Sequence, residues 1–495
     1  MNLLKKYLVG AVVGLLPIIG NAESRPNIIF LMSDDQSFYT LGCYGNPDVQ
    51  TPNLNRLAAD GMAFDRHYAT TAICMASRAT VMSGMFEFKT GCNFMHGDMM
   101  EDIWKKSYPM LLREAGYRTG FAGKFGFSIR KNLKSKAIKN LDQYFDVWAG
   151  GHGQTSYKTA ANEGLKKYVN EYPHSTLAYG AFGRDFIKES VGGEQPFCLS
   201  ISFKAPHRPA TPDPRFDEIY KGKTFTKPGN FGRENGAHFS KQSQADRQYE
   251  RFHSWNYATK YDQVMATYHQ QVYAIDQAVG MIREALQETG ADKNTVIIYT
   301  ADNGYFCGSH GYASKVLPYE EASRVPLIIF DPREKNSGKQ LRSGSLSGLC
   351  DIAPTLLKLA DLPVPDNMDG RDLMELYRDP SAEIHDALPL INVWNEPATH
   401  ALSVVTKDQK YIYWGYAGDG YAVTEELYHL GKDPLELVNL AANPENSDML
   451  NSMRKKYDRF LDQWKAEAVS YNDYERFGTL FDRKVEWKEK AKLLD

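Results

Sequence analysis

Four short runs along the chain are almost continuously apolar: residues 27–32 (NIIFLM), 197–203 (FCLSISF), 295–300 (TVIIYT) and 325–330 (VPLIIF). Each has the length of a strand rather than a helix, and none alternates apolar with polar. The pattern predicts strands buried on both faces, as in a parallel sheet covered by helices. Between them the period changes. Residues 53–61 read as a helix stopped by Gly61, and Val272, Ile275, Val279, Ile282 and Leu286 recur every three or four residues before Gly290. Such a stripe is the buried face of a helix packed on a sheet. Strands separated by helices predict an α/β fold.

Residues 215–260 break this rhythm. They are polar, aromatic and rich in Gly, Lys and Gln, which predicts a long insertion with little regular structure, of the kind that serves binding at a sheet edge. Beyond Asp369-Gly370 the pattern changes again. Residues 390–393, 402–406, 410–414 and 426–430 read as short strands, and 449–466 as an amphipathic helix. This division predicts a catalytic α/β region over residues 23–380 and a smaller C-terminal α+β subdomain with an antiparallel sheet over 381–495. No internal repeat or low-complexity tract is present.

Composition narrows the function. The 495 residues carry a net charge of −3 with mixed signs, so no basic field is available for nucleic acid. At the N-terminus, Lys5 and Lys6 precede an apolar run from Leu8 to Ile19, followed by the small residues of Gly20-Asn21-Ala22. This is the pattern of an export signal over residues 1–22, cleaved after Ala22, and the run is too short to span a bilayer. The expectation is a periplasmic or secreted protein with no membrane segment after cleavage. Its six cysteines are scattered with no C-x-x-C pair, which argues against zinc. Export permits disulfides without requiring them.

The polar residues that could carry chemistry stand just past the apolar runs. Asp34 and Asp35 follow the first, His207 the second, and Asp302 and Asn303 the third. Ligands of open α/β sheets bind at the carboxyl ends of strands, so one crevice could gather all five. Three carboxylates and an amide form a hard, all-oxygen donor set that favours Ca²⁺ or Mg²⁺. Each motif also has a plain structural reading: Asp34-Asp35 as a helix N-cap, and Asp302-Asn303-Gly304 as a turn.

Cys74-Met75-Ala76-Ser77-Arg78, followed by Ser83-Gly84, resembles the signature of the type I sulfatases of the alkaline-phosphatase-like superfamily, with Ala76 where the usual form has proline. Further landmarks match in order: Arg25-Pro26-Asn27-Ile28-Ile29 through Asp34-Asp35, Thr51-Pro52-Asn53, Gly123-Lys124, Pro206-His207-Arg208-Pro209, Asp302-Asn303-Gly304, Lys315 before Tyr319-Glu320-Glu321, and Glu426-Leu427-Tyr428 before Asp433-Pro434. The resemblance spans roughly residues 25–445. It implies a large mixed, mostly parallel sheet and hydrolysis of sulfate esters on a glycan. It implies that Cys74 is oxidised to formylglycine by a maturation enzyme, and that Asp34, Asp35, Asp302 and Asn303, together with residue 74, hold one Ca²⁺. Arg78, Lys124, His207 and Lys315 become the polar shell around the sulfate. One position departs: the family commonly carries a histidine two residues after the first active-site lysine, where this chain has Gly126. His310 is one candidate substitute and a structural loop histidine the other. Two alternative functions stay open: a phosphatase, phosphodiesterase or phosphonate hydrolase of the same superfamily, and a non-catalytic glycan-binding protein with an unconverted cysteine.

Overall fold

The computed structural model describes residues 25–494; the expected export signal lies outside them. Eight strands form the central sheet: β1 (Asn27–Asp34), β2 (Met62–Tyr68), β3 (Arg118–Lys124), β4 (Val147–Gly151), β5 (Phe197–Pro206), β6 (Thr295–Ala301), β7 (Leu327–Phe330) and β8 (Leu341–Gly348). Their order is β8-β2-β7-β6-β1-β5-β3-β4. Seven run in one direction. The exception is β7, antiparallel to both β2 and β6, although its apolar run read as parallel with the rest. A continuous apolar run reports burial on two faces and carries no direction. The chain leaves β6 and returns directly beside it, whereas a parallel neighbour needs a crossover.

The first apolar run shows how the sheet is covered. Ile28, Phe30 and Met32 face one side, where α2 (Cys74–Ser83), α3 (Tyr108–Glu114) and α7 (Ile352–Leu359) pack. Ile29 and Leu31 face the other, against α1 (Pro52–Asp60), α4 (Ser175–Val191) and α6 (Tyr261–Thr289). The expected stripe of α6 is buried against this second face, and Gly290 ends the helix at φ +72°, the left-handed cap that glycine adopts without strain. Strand β3 escaped the apolar-run criterion because glycines interrupt it. At Gly123 an added Cβ would lie 1.9 Å from the Ser202 carbonyl oxygen, so close strand approach excludes a side chain there.

The C-terminal strands β9 (Leu388–Asn392), β10 (Ala401–Val405), β11 (Lys410–Trp414) and β12 (Thr424–Tyr428) form an antiparallel sheet in sequential order, within two residues of the expected positions. Helix α8 (Ser447–Glu467) covers it with Met453, Tyr457, Phe460 and Trp464. Two buried polar knots tie this sheet to the central one. Lys410 stands 2.9 Å from Glu320 and 2.8 Å from Glu436. Glu426 accepts from Trp414 Nε1 (2.9 Å), Tyr428 Oη (2.6 Å) and Tyr319 Oη (3.1 Å). Both knots grip residues 319–320, just beyond Lys315.

The insertion is more ordered than its composition predicts. It contains α5 (Arg247–Ser254) and several single turns, wrapped around Phe225, Phe252, Tyr257 and Tyr261. Aromatic anchors spaced irregularly hold it together, which periodicity does not register. All six cysteines are free thiols. Among the described residues no helix is long and apolar enough to cross a membrane.

Glu87 joins the turn before α2 to the C-terminal region. It is fully buried and accepts from Thr71 Oγ1 (2.8 Å), Asn93 Nδ2 (2.7 Å) and Tyr474 Oη (2.6 Å). Burial outweighs these bonds and pushes its carboxyl up to about 7 from an ordinary value of 4.5. Between those values the folded chain keeps a proton that the unfolded chain has released, so stability falls as pH rises through the window. Glu87→Gln removes this contribution, on the order of 3 kcal/mol. Denaturant unfolding of both proteins from pH 4.5 to 8 should show the variant gaining on the wild type as pH rises. Parallel profiles would sink the assignment.

Candidate active site

The carboxyl ends of β1, β3, β5 and β6 open onto one crevice, and α2 begins beside them. Asp34 ends β1, and Asp35 follows in the left-handed region at φ +65°. Lys124 ends β3. At the end of β5 the pairing with β1 slips: Met32 faces Ser202, but Asp34 faces Pro206. The extra residues form a bulge, which redirects side chains at a strand end and carries Lys204. Asp302 and Asn303 follow β6.

Arg78, one turn into α2, is completely buried. Its Nε donates to Asp302 Oδ2 (2.9 Å), and Nη2 lies 2.7 Å from the same oxygen and 3.6 Å from Asp34 Oδ2. Nη1 donates to the Lys124 carbonyl (2.6 Å) and to Ser202 Oγ. Lys124 Nζ donates to Asp34 Oδ2 (2.6 Å). Lys315 Nζ donates to Asp35 and, at 2.6 Å, to Cys74 Sγ. Cys74 Sγ lies 3.3 Å from Asp34 Oδ1. His207 Nε2 is 3.7 Å from Asp35 Oδ2. Cys74, Arg78, Lys124, His207 and Lys315 therefore meet around Asp34, Asp35, Asp302 and Asn303.

The electrostatics are uneven. Burial works to raise the Asp34 carboxyl, but Lys124, His207, Arg78 and Lys315 together hold it well below the usual range. Asp302, pushed by burial and by Asp34, rises to about 6. Burial and Asp34 likewise push the Cys74 thiol up to about 12, so it stays neutral at physiological pH, whereas the thiolate is the nucleophilic form. Cys74, Asp34, Asp35 and His207 each offer a donor atom within 4.8 Å of the others. Asn303 donates through Nδ2 to Asp35 Oδ1 (2.9 Å), while its buried Oδ1 has no hydrogen-bond partner. Three carboxylates and an unpartnered amide oxygen fit a hard divalent cation.

His310 is elsewhere. Its ring is buried, near Asn230 Nδ2 (2.8 Å) and the Asn235 carbonyl (3.0 Å), with Glu321 at 3.7 Å. It does not line the Cys74 cavity, which corrects its expected place near the substrate. Gly126 explains why no side chain stands at its position: φ is +89°, and an added Cβ would lie 2.4 Å from Arg78 Cδ.

A cavity of about 450 Å³ leads from Cys74 and Lys315 outward between Gln154, His207, Arg208, Arg251 and Trp394. Gln154, Trp255, Tyr305 and Trp394 also line it. Sequence reasoning missed Arg247 and Arg251, although arginines beside Trp255 in a binding-type insertion were a usable signal. It also missed Lys204, whose Nζ packs over Tyr157 (5.2 Å). Burial lowers its pKa while Asp34 and Asp35 raise it, which places this lysine in the field of the site.

Comparison with known proteins agrees with this geometry. The sulfatase family model matches residues 26–362, and that of the N-sulphoglucosamine sulphohydrolase C-terminal region matches 308–463. An N-acetylglucosamine-6-O-sulfatase of Bacteroides thetaiotaomicron is 28% identical, over 89% of this chain and 87% of that protein. An arylsulfatase of Clostridium perfringens is 26% identical, over 87% and 93%. A protein solved with its substrate D-glucosamine-2-N,6-O-disulfate superposes at a TM-score of 0.72 with 26% identity, covering 90% of this chain and 99% of that one. The phosphonate monoester hydrolase of Agrobacterium radiobacter, 20% identical at a TM-score of 0.68 over 89% and 96%, shares the fold alone. With its family match running from β1 to just past α7, this chain belongs to the sulfatases, enzymes that hydrolyse sulfuric esters.

Proposed function

We propose that the protein hydrolyses O-sulfate esters of carbohydrates, with Cys74 converted to formylglycine and one Ca²⁺ held by Asp34, Asp35, Asp302, Asn303 and residue 74. The observation that carries this reading is the placement of Cys74 at the start of α2, within reach of Asp34 and Lys315, with Asn303 bound to the neighbouring Asp35 and its own amide oxygen unpartnered. The cation would supply Lewis-acid charge, and hydrated formylglycine a hydroxyl nucleophile at neutral pH. Curated relatives named for N-acetylglucosamine-6-O-sulfatase and arylsulfatase activity support the sulfate ester as substrate. Export to the periplasm or beyond, by the N-terminal signal, fits an enzyme for external glycans. Cys74 is only 2% exposed, so the maturation enzyme would act before the fold closes over it.

The chain's own side chains divide the remaining work. Lys124 and Lys315 are point charges for the sulfuryl oxygens as negative charge moves onto them. Arg78 is fully engaged by Asp302, Ser202 and the Lys124 carbonyl, and sets the carboxylates in place. The departing sugar oxygen needs a proton. Lys315 is bound toward Asp35 and Cys74, whereas His207 lies on the open side with its side chain 20% exposed. His207 is therefore assigned as the proton donor.

Three outcomes test this. Mass spectrometry of the tryptic peptide from His67 to Arg78 should show an aldehyde in place of the Cys74 thiol, and the protein should turn over an aryl sulfate faster than the matched aryl phosphate. Active protein with an intact thiol, or preference for phosphate, would falsify the reading. His207→Ala should reduce kcat on a sugar sulfate by about 10²–10⁴, and far less on a nitrophenyl sulfate, whose leaving group needs no proton. Equal losses on both would remove the donor role. Gly126→Ala should destabilise the fold by roughly 1–3 kcal/mol and lower kcat/KM, since the new Cβ displaces Arg78. A variant with unchanged melting temperature and turnover would show that Arg78 tolerates the shift.

A further inference from the structure

The mouth of the Cys74 cavity carries more positive charge than one sulfate ester requires. Arg208, Arg247 and Arg251 all line it, beyond Lys315 and His207. None of the three has a carboxylate within 4 Å among the described residues. Arg251 Nη1 donates only to neutral groups, Gln248 Oε1 (2.7 Å) and Ser314 Oγ (3.2 Å). Burial and the like charge of Arg247 both work against the Arg251 guanidinium. Of the two acids at this helix, the N-cap Asp246 accepts from the Gln248 backbone N–H (2.8 Å) and from Asn395 Nδ2 (3.3 Å), and Glu250 is exposed and lies 4.0 Å from Arg233. Asp35 belongs to the inner cluster.

The tryptophans of the wall hold these arginines. Arg247 lies over Trp394 (4.1 Å), and Arg208 (4.3 Å) and Arg251 (4.4 Å) lie over Trp255. A guanidinium stacked on indole keeps its edge free to bind a planar or tetrahedral oxyanion. The two tryptophans act here as platforms for cations. Phe94, 51% exposed on the same wall, is the aromatic face left open to a sugar ring. Guanidiniums that line one cavity without a carboxylate partner repel one another, so their natural partner is an anion from outside the chain.

We propose that Arg208, Arg247 and Arg251 form a second anion subsite at the cavity mouth, so that the preferred substrate is a sugar bearing a further sulfate or a carboxylate besides the scissile sulfate. This rests on the sulfatase reading and adds the substrate class. Neither group is cleaved at this subsite; it orients the sugar so that the other sulfate enters the inner site.

The test compares three probes: glucosamine 6-sulfate, glucosamine carrying both N- and 6-O-sulfate, and a 6-sulfated glucosamine linked to a uronic acid. The wild type should prefer at least one dianionic probe over the monosulfate by tenfold or more in kcat/KM, and which one it prefers separates sulfate from carboxylate. Arg247→Ala and Arg251→Ala should each lower that ratio about tenfold, with Arg251→Lys intermediate. Because the ratio is taken within one protein, partial loss of folded enzyme does not alter it. Calorimetry on Cys74→Ala should show the same preference in Kd without turnover. A wild type that cleaves the monosulfate as well as both dianions overturns the subsite, as does one that cleaves aryl sulfates but neither dianion, or a ratio unmoved in the variants. Failure to cleave any sulfate ester removes the sulfatase reading itself.

Discussion

The site depends on one buried guanidinium. Arg78 links a helix, α2, to the ends of three strands: Asp302 beyond β6, Lys124 on β3 and Ser202 on β5, with Asp34 of β1 at the margin. A buried charge is tolerable only when its partners are close and its donors satisfied, and removing one partner of such a pair typically destabilises by about 3–5 kcal/mol. That constraint propagates outward. Gly126 must lack a side chain because the Arg78 side chain occupies its space. Gly123 must lack one because β3 and β5 approach closely. In this chain position 126 therefore has no room for a side chain, and the crevice carries its cations on Arg78, Lys124, Lys204 and Lys315.

Charge balance explains how acids and lysines coexist there. Asp34, Asp35 and Asp302 face Arg78, Lys124, Lys204 and Lys315, with almost no water to screen them. The carboxylates divide unequally: Asp34 touches two cations and stays ionised, whereas Asp302, paired with Arg78 alone, rises to about 6. The donor atoms left over, above all Asn303 Oδ1, have no partner within the protein. A divalent cation held by these oxygens would release the lysines from the carboxylates and leave them free to meet an oxyanion.

How much of this the sequence disclosed follows from what kind of constraint each residue obeys. Strands buried on both faces leave apolar runs, so β1, β5 and β6 were legible, and the acids beyond them pointed to the crevice. Direction leaves no such mark, which is why β7 was misread. Strand β3 is shaped by backbone approach, visible only as glycines. His310 stood near the right motif, but eight residues of loop carried it to Asn230 and Glu321, and spacing along a loop does not predict where a side chain ends. Lys204 became visible only through the slip in register between Met32 and Asp34. The insertion was recognised by composition, yet its arginines acquire meaning only once α5 lays them against Trp255 and Trp394.

The inner and outer parts of the cavity are therefore built on different physics. The inner groups sit on strand ends and a helix start, where the sheet fixes them and buried ion pairs link carboxylates to cations. Of the outer arginines, Arg247 and Arg251 sit on an insertion anchored by its own aromatic cluster and Arg208 just beyond β5, and ring faces hold all three without a carboxylate partner. Groups fixed by the sheet suit bond making and breaking, which tolerates little misplacement. Stacked cations on segments outside the sheet suit recognition, which can be altered without disturbing the sheet. The 319–320 loop, clamped by Lys410 and Glu426 from the C-terminal sheet, keeps Lys315 with the inner group. The C-terminal sheet thus holds the segment that follows Lys315.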